Sequence, residues 1–308
     1  MWCATVPTVS ETVCALPEVL DEHDWALREQ RYLDRVDAFL APHERRMRAG
    51  EPHPVWDFLF TYYSLKPRQL RRWHPGFGRA LTGPGTRRFT DRAGYGHTGD
   101  AVTVTDAYLA GRRDTVAFVA DLLTATAARP ARLNCFGLHE WAMVYRAPEV
   151  RHARVPLRLS ASDTDAVVES MPLRCTHFDA YRFFTEAAVP RNGEALSRHA
   201  QSATEQPGCV HANMDLYKWS YKLGPLLESN LLMDCLDLAA DARVLDMRAS
   251  PYDLSDYGIE PIAIEDPTGR AEYVRRQQDI ANLAVPLRES LLSECLALLG
   301  HHSDGSTP

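Results

Sequence analysis

No stretch of this chain approaches the roughly 18 to 20 uninterrupted apolar residues of a membrane-spanning helix, because charges break every apolar run within a few positions. A partner role for a membrane is therefore not expected. The opening segment from Met1 to Leu16 lacks a basic start and meets Glu11 early, so it does not read as a secretory signal and a cytoplasmic location is expected. Cys-x-x-Cys pairs are also missing. The seven cysteines, at 3, 14, 135, 175, 209, 235 and 295, are scattered, which speaks against a disulfide framework or a cysteine zinc site. Cys135 and Cys175 stand close to the segments singled out below, as thiols or as small buried hydrophobes. The metalloprotease pattern His-Glu-x-x-His is absent too, since His139-Glu140 is followed by Met143 where the second His would stand. Finally there is no surplus of positive charge: a net charge of −7 argues against a protein that coats nucleic acid without specificity.

What is present is enough for a large core. A chain of 308 residues that is 45% hydrophobic suits one large domain. The expected organisation is a single helical domain over residues 1–300, with a disordered tail over 301–308.

The patterning predicts a mainly α fold with irregular loops and little β. An approximate helical stripe of Leu20, Trp25, Leu27, Leu33, Val36 and Leu40 predicts a long helix from Leu20 to Arg48, ended by Gly50, Pro52 and Pro54. The nearly all-apolar Val55 to Leu65 must be buried or line a pocket. Gly76 to Gly99 is glycine-rich and predicts a long loop or hairpin, with a strand near Ala101 to Val104. Thr105 is a cap for a helix running to Ala128. Further helices are expected at Leu138 to Tyr145, Asn213 to Leu223, Pro225 to Ala240, and from Thr268 or Gly269 to Leu299 with a bend at Pro286. Val167 and Val168 fit a strand or a loop, Pro148 to Pro156 reads as connecting structure, and Asp246 to Pro261 reads as turn-rich. The first long helix could support dimerisation, but nothing in the pattern requires it.

Three segments carry chemistry. In Cys135 to Tyr145, His139 and Glu140 sit about 100 degrees apart on a helix, so they cannot easily share one ligand. In Arg174 to Phe184, His177, Asp179 and Arg182 form a compact base, acid and cation group. In Gly208 to Lys222, His211 and Asp215 are four apart and so stack on one helix face, with Lys218 and Lys222 continuing it. Each group also has a structural reading: a helix acid held in an ion pair, or surface charges paired along a helix. Two functional readings stand side by side. In one, His177, Asp179, His211 and Asp215 hold a divalent metal, with His139 or Glu140 added. In the other, no cofactor is required, and a carboxylate assists cleavage of a glycosidic C–N bond while Tyr217, Trp219 or Trp141, with Tyr145 nearby, grips the departing base.

A fourth feature is charge distribution. Between Lys66 and Arg92, eight basic residues, Arg71 and Arg72 among them, face one acid, Asp91, and Trp73, Phe77 and Phe89 are interleaved. An anionic ligand could land there, with aromatics available for base stacking. Pairing with acids elsewhere is the plainer account.

The strings His53 to Tyr63, Cys135 to Tyr145, His211 to Lys222 and Val244 to Leu254 together resemble an actinobacterial family commonly labelled 3-methyladenine DNA glycosylase. The resemblance implies a hydrolase that cleaves the C–N bond of an alkylated purine, with DNA or a modified purine nucleoside as partner, extruding the base into an aromatic pocket. An alkylated purine is cationic and already a good leaving group, so stacking and one carboxylate suffice. Asp179 or Asp215 is the candidate, with His177 or His211 orienting water, Glu140 as a further acid, and Lys218 and Arg182 beside the substrate. The hairpin of helix-hairpin-helix glycosylases is matched only loosely by Leu81 to Gly85 followed by Asp106: Pro84 replaces an apolar residue, and Gly94, Gly96 and Gly99 interrupt the helix that should follow. Asp106 reads better as a first-turn helix acid. The runner-up is a metal-dependent enzyme acting on a small anionic or nucleoside substrate; a noncatalytic binding protein would leave the His/Asp pairs without a task.

Overall fold

The computed structural model describes residues 17–148 and 155–301. The expected leader reading at the N-terminus, most of the connection before Pro156 and the tail beyond His301 lie outside the described residues. About 60% of the chain is helical and 6% is strand, so the fold is mainly α. Six helices of eight or more residues stand among the described residues: α1 (Glu22–Ala49), α2 (Asp106–Ala127), α3 (Ala161–Ser170), α4 (Val210–Leu223), α5 (Ser229–Arg248) and α6 (Pro267–Gly300). No helix among the described residues is long and apolar enough to cross a membrane.

Helix boundaries follow local chemistry. The Asp21 carboxylate accepts from the Asp24 amide at 2.9 Å to start α1, and Gly50, at φ 72°, closes it with its amide on Arg46 and Met47 carbonyls. Thr105 caps α2 through the Tyr108 amide. The α1 stripe buries Trp25, Tyr32, Val36 and Leu40, and the Trp25 indole donates to the Thr82 carbonyl at 2.9 Å. Leu20 precedes the helix on a short strand.

That strand, β1 (Glu18–Leu20), pairs parallel with β2 (Arg79–Leu81); β2 pairs antiparallel with β4 (Ala101–Val104), and β4 forms a hairpin with β3 (Tyr95–Thr98). Leu81, Val102 and Val104 face inward, so the sheet is a small flank on the helical core. A continuous cluster from Leu20 to Leu298 joins α1, α2, α4, α5 and α6.

Two segments are corrected, and the expected last helix is met. Val167 and Val168 are neither strand nor loop: they are the buried face of α3, which Ser160 caps through the Asp163 amide. Pro225 opens a 3-10 turn, Gly224–Leu226, and the helix that follows starts at Ser229 and runs on to Arg248, so Asp246 sits in a helix and not in a turn. Continued burial of Ala242, Arg243, Leu245, Asp246 and Met247 carries α5 past the point where the apolar pattern thins. The last helix passes through Pro286 as one element, Pro267–Gly300.

Candidate active site

Four pieces of chain meet between α4 and α5. The faces of these helices carry His211, Asp215 and Lys218 on one and Arg243 and Asp246 on the other, spaced three or four residues apart and therefore aligned. A short helix, Leu138–Ala142, adds His139 and Glu140. Its approach is tight: at Gly137, φ 73°, a Cβ would stand 3.0 Å from the Cβ of Ala249, so glycine lets the turn lie against the end of α5. The fourth piece is His177 with Asp179, at the start of the short helix Phe178–Tyr181, joined by Glu205.

Polar contacts divide the cluster into two linked groups. In the first, His139 Nε2 lies 2.5 Å from Asp246 Oδ1, and Arg243 donates to Asp246 Oδ2 at 2.8 Å and to Glu140 Oε1 at 2.9 Å. His211 Nε2 lies 3.7 Å from Asp246 Oδ2. His139 and Glu140 do point apart, one to Asp246 and the other to Arg243. In the second group, Asp215 Oδ2 accepts from Lys218 at 2.7 Å and lies 3.1 Å from His177 Nε2, while the Tyr63 hydroxyl donates to Oδ1 at 3.1 Å. Lys218 also donates to Asp179 Oδ2 at 2.9 Å, and Arg198 and Arg182 hold Asp179 from the rim. Glu205 lies 3.4 Å from His177. The His139 and His177 rings flank His211, with centroids 4.5 and 5.4 Å from it.

These contacts set the charges. Burial works against the His139 imidazolium, but the Asp246 charge and hydrogen bond outweigh it, and its pKa lies well above the ordinary value. His177 is also raised, burial being overcome by Glu205 and Asp215. Burial dominates at His211, whose pKa falls to about 3, with the positive neighbours His139, His177 and Arg243 adding to the effect; its imidazole is neutral. Asp215 and Asp246 are held below the carboxylate range despite burial, by Lys218 and His177 and by His139 and Arg243 respectively. Burial likewise opposes ionisation of Asp179, yet Arg198 and Lys218 bring it to about 2. Glu205 is raised, chiefly by burial.

A cavity of about 290 Å³ opens on this cluster. Its aromatic wall is Phe58, Tyr62 and Phe183, with the Phe58 and Tyr62 rings stacked at 4.7 Å. The charged groups that line it are Glu140, Asp179 and Arg243, with neutral His211 beside them. Arg243 lies over the Phe58 ring at 3.9 Å. The Nδ1 atoms of His177 and His211 and Nε of Arg243 are buried without a hydrogen-bond partner.

The structure thus brings His139, Glu140, His177, Asp179, His211, Asp215 and Lys218 together, with Arg182 at the edge. Other expected residues lie elsewhere. Trp141 is a core residue whose indole donates to the Ala249 carbonyl at 2.8 Å, and the Tyr145 hydroxyl donates to Glu169 at 2.8 Å. Tyr217 is fully buried edge-on to Tyr63, and Trp219 packs on Phe118. Arg71 is paired with Asp37 and Glu44, each at 2.7 Å, whereas Arg72 is exposed beside a different cavity. Asp106 pairs with His301 at 3.0 Å at the start of α2.

Two groups have ligand-type donors within 4.8 Å of one another: His139, His211 and Asp246, and His177, Glu205 and Asp215. Asp179 belongs to neither, so the ligand set expected from sequence is divided, and Glu205 and Asp246 complete it. Those two, with Arg243 and Tyr63, were not among the expected site residues. Arg243 and Asp246 carry a signal, an i,i+3 charge pair on an otherwise apolar helix face; Glu205 carries none. No protein-family model, curated protein or solved structure matches the chain.

Proposed function

We propose that this chain is a hydrolase that cleaves the N-glycosidic bond of an alkylated, cationic purine bound in the cavity between Phe58 and His211. The observation that carries the reading is the cavity's lining: three aromatic side chains face two carboxylates and one cation around a neutral imidazole. The aromatic faces of Phe58, Tyr62 and Phe183 favour a flat cationic ring. A volume of about 290 Å³ suits one base or nucleoside and excludes a stacked duplex, so a DNA substrate would have to present its base extruded.

Chemistry follows from the charge states. The leaving base already bears positive charge, so the site needs no strong acid. Positive charge moves onto the sugar as the bond breaks, and the ionised Asp179 and the Glu140 carboxylate stand at the cavity to stabilise it. His211, neutral at the cavity wall, orients a water for attack on the cationic sugar, and the proton shed as the sugar hydroxyl forms passes to bulk solvent. Asp215, satisfied by Tyr63, His177 and Lys218, positions the lysine. Glu140→Gln and Asp179→Asn are each expected to lower base release from an alkylated nucleoside or alkylated DNA by about 10² to 10³ fold, the circular dichroism spectrum being retained. Wild-type rates in both variants, or no release by the wild-type protein from either substrate, would overturn the reading.

A second reading, a metal-dependent enzyme on a small anionic or nucleoside substrate, is favoured by the converging donors of the two three-residue groups. Against it, the carboxylates of Asp215 and Asp246 already hold buried cations, Lys218 and Arg243. Metal quantification on protein purified without chelator separates the two. The first reading expects substoichiometric metal and base release that survives chelation; a stoichiometric divalent ion lost in His177→Ala or His211→Ala would replace it with the second.

A further inference from the structure

The segment from Lys66 to Arg92 offers eight basic residues, and the structure accounts for most of those that matter. Arg71 is held by Asp37 and Glu44, Arg79 by Glu18, and Arg88 by Glu29. Trp73 and Phe89 are fully buried, so they offer no stacking surface. Lys66, Arg68 and Arg87 are exposed and line no cavity with the others, whereas Arg72 and Arg92 stand together at one place. Arg72 is exposed and makes no ion pair or side-chain hydrogen bond among the described residues. Arg92 rests on the Phe89 ring at 4.5 Å and donates to the Trp73 carbonyl at 2.9 Å, without a carboxylate partner.

Both line a second cavity of about 210 Å³, together with His74, Tyr108, Tyr221 and Glu228. Glu228 is the acid in this lining, and it is engaged: it accepts from Asn230 at 3.0 Å and lies 3.9 Å from Arg79. The local field is positive. His74 registers it: burial first, then Arg92 and Arg72, bring its pKa down to about 3. A neutral His74 stays bonded to the Tyr95 hydroxyl at 2.9 Å and adds no charge. Two guanidiniums without carboxylate partners, beside Tyr108 and Tyr221, form a lining suited to tetrahedral oxyanions.

We infer that this cavity, between the Arg72–Arg92 pair and the C-terminal end of α4, is a binding site for a phosphoryl group. It is distinct from the cavity at His211. The same helix lines both, through His211 near its start and through Ser220 and Tyr221 near its end, about 14 Å apart at 1.5 Å per residue. A phosphate here can come from a free nucleotide or from a nucleic-acid backbone.

Titration calorimetry on the whole chain tests the site with inorganic phosphate, a mononucleoside monophosphate and a short single-stranded oligonucleotide, at fixed ionic strength. Saturable binding of at least one probe is expected, weakened about tenfold or more in Arg72→Gln and again in Arg92→Gln, and unchanged in Arg71→Gln. Arg72 is exposed, so its variant keeps the test valid if Arg92→Gln disturbs the contact with Trp73. Preference for the mononucleotide assigns the site to free nucleotides, and preference for the oligonucleotide assigns it to a backbone; either supports the site. Absence of binding by all three probes at millimolar concentration, or equal binding by wild type and the Arg72→Gln, Arg92→Gln double variant, overturns it. The readout is binding, so it stands or falls separately from base release.

Discussion

Asp246→Asn is expected to remove about 3 to 5 kcal/mol of unfolding free energy. Asp246 is fully buried and sits among three partners: His139 at 2.5 Å, Arg243 at 2.8 Å and His211 at 3.7 Å. Asparagine keeps the shape but removes the charge that holds His139 protonated and half of the charge that balances Arg243. Glu140 alone is left to compensate a guanidinium that is itself wholly buried. Breaking such a pair costs more than forming it gains, because the surviving ion has no water to return to. The contrast is Asp237→Asn, which breaks a contact with Arg35 at 2.5 Å between half-exposed side chains and should cost less than about 1 kcal/mol. Urea unfolding followed by circular dichroism measures both, provided the slopes agree. A cost below about 1 kcal/mol for Asp246→Asn would mean that the His139 and Arg243 contacts contribute nothing net.

The same residue shows where sequence reasoning reached its limit. Helices with a local stop or start signal, such as Gly50 and Thr105, were legible because the signal and the chain it bounds are neighbours. The three His/acid segments were legible for a related reason: His139-Glu140, His177 with Asp179, and His211 with Asp215 each place two groups within a helical turn, and the folded chain does gather all three. What completes them is tertiary. Arg243 reaches Glu140 across 103 positions and Asp246 reaches His139 across 107, and no spacing rule announces a partnership at that range. Val167 and Val168 misled because two adjacent β-branched residues are ambiguous until Ser160 is seen to cap a helix ahead of them. The basic segment misled differently. Composition counted charges, whereas pairing with Glu18, Glu29, Asp37 and Glu44 takes up Arg71, Arg79 and Arg88, and of the remainder only Arg72 and Arg92 share a cavity.

Stability should peak near pH 6.5 and fall on both sides, for reasons that lie in five histidines, of which His53, lowered chiefly by burial, adds to the acid limb. His139 and His177 have raised pKa values in the folded chain, so below the unfolded value of about 6.5 their contribution is complete, and it is lost as pH rises through the folded pKa. His74 and His211 are depressed to about 3, so between that value and about 6.5 the unfolded chain binds protons that the folded chain refuses, and stability falls as pH is lowered. Asp179, depressed to about 2, and Asp215 and Asp246, also depressed, contribute above the unfolded carboxylate pKa and lose that contribution in stronger acid, steepening the fall below about pH 4. Glu205 and Asp241, both raised mainly by burial, oppose the acid limb against His53, His74 and His211. Each histidine supplies a slope of at most about 1.4 kcal/mol per pH unit. Unfolding free energies from urea titrations between pH 5 and 9 trace the curve. His139→Gln should flatten the alkaline limb whatever it does to absolute stability, and His74→Gln, outside the cluster, should flatten the acid limb alone. A level profile from pH 6.5 to 9 in the wild-type protein would show that His139 and His177 are not held as cations, and with that the charge balance of the buried site would have to be redrawn around neutral imidazoles.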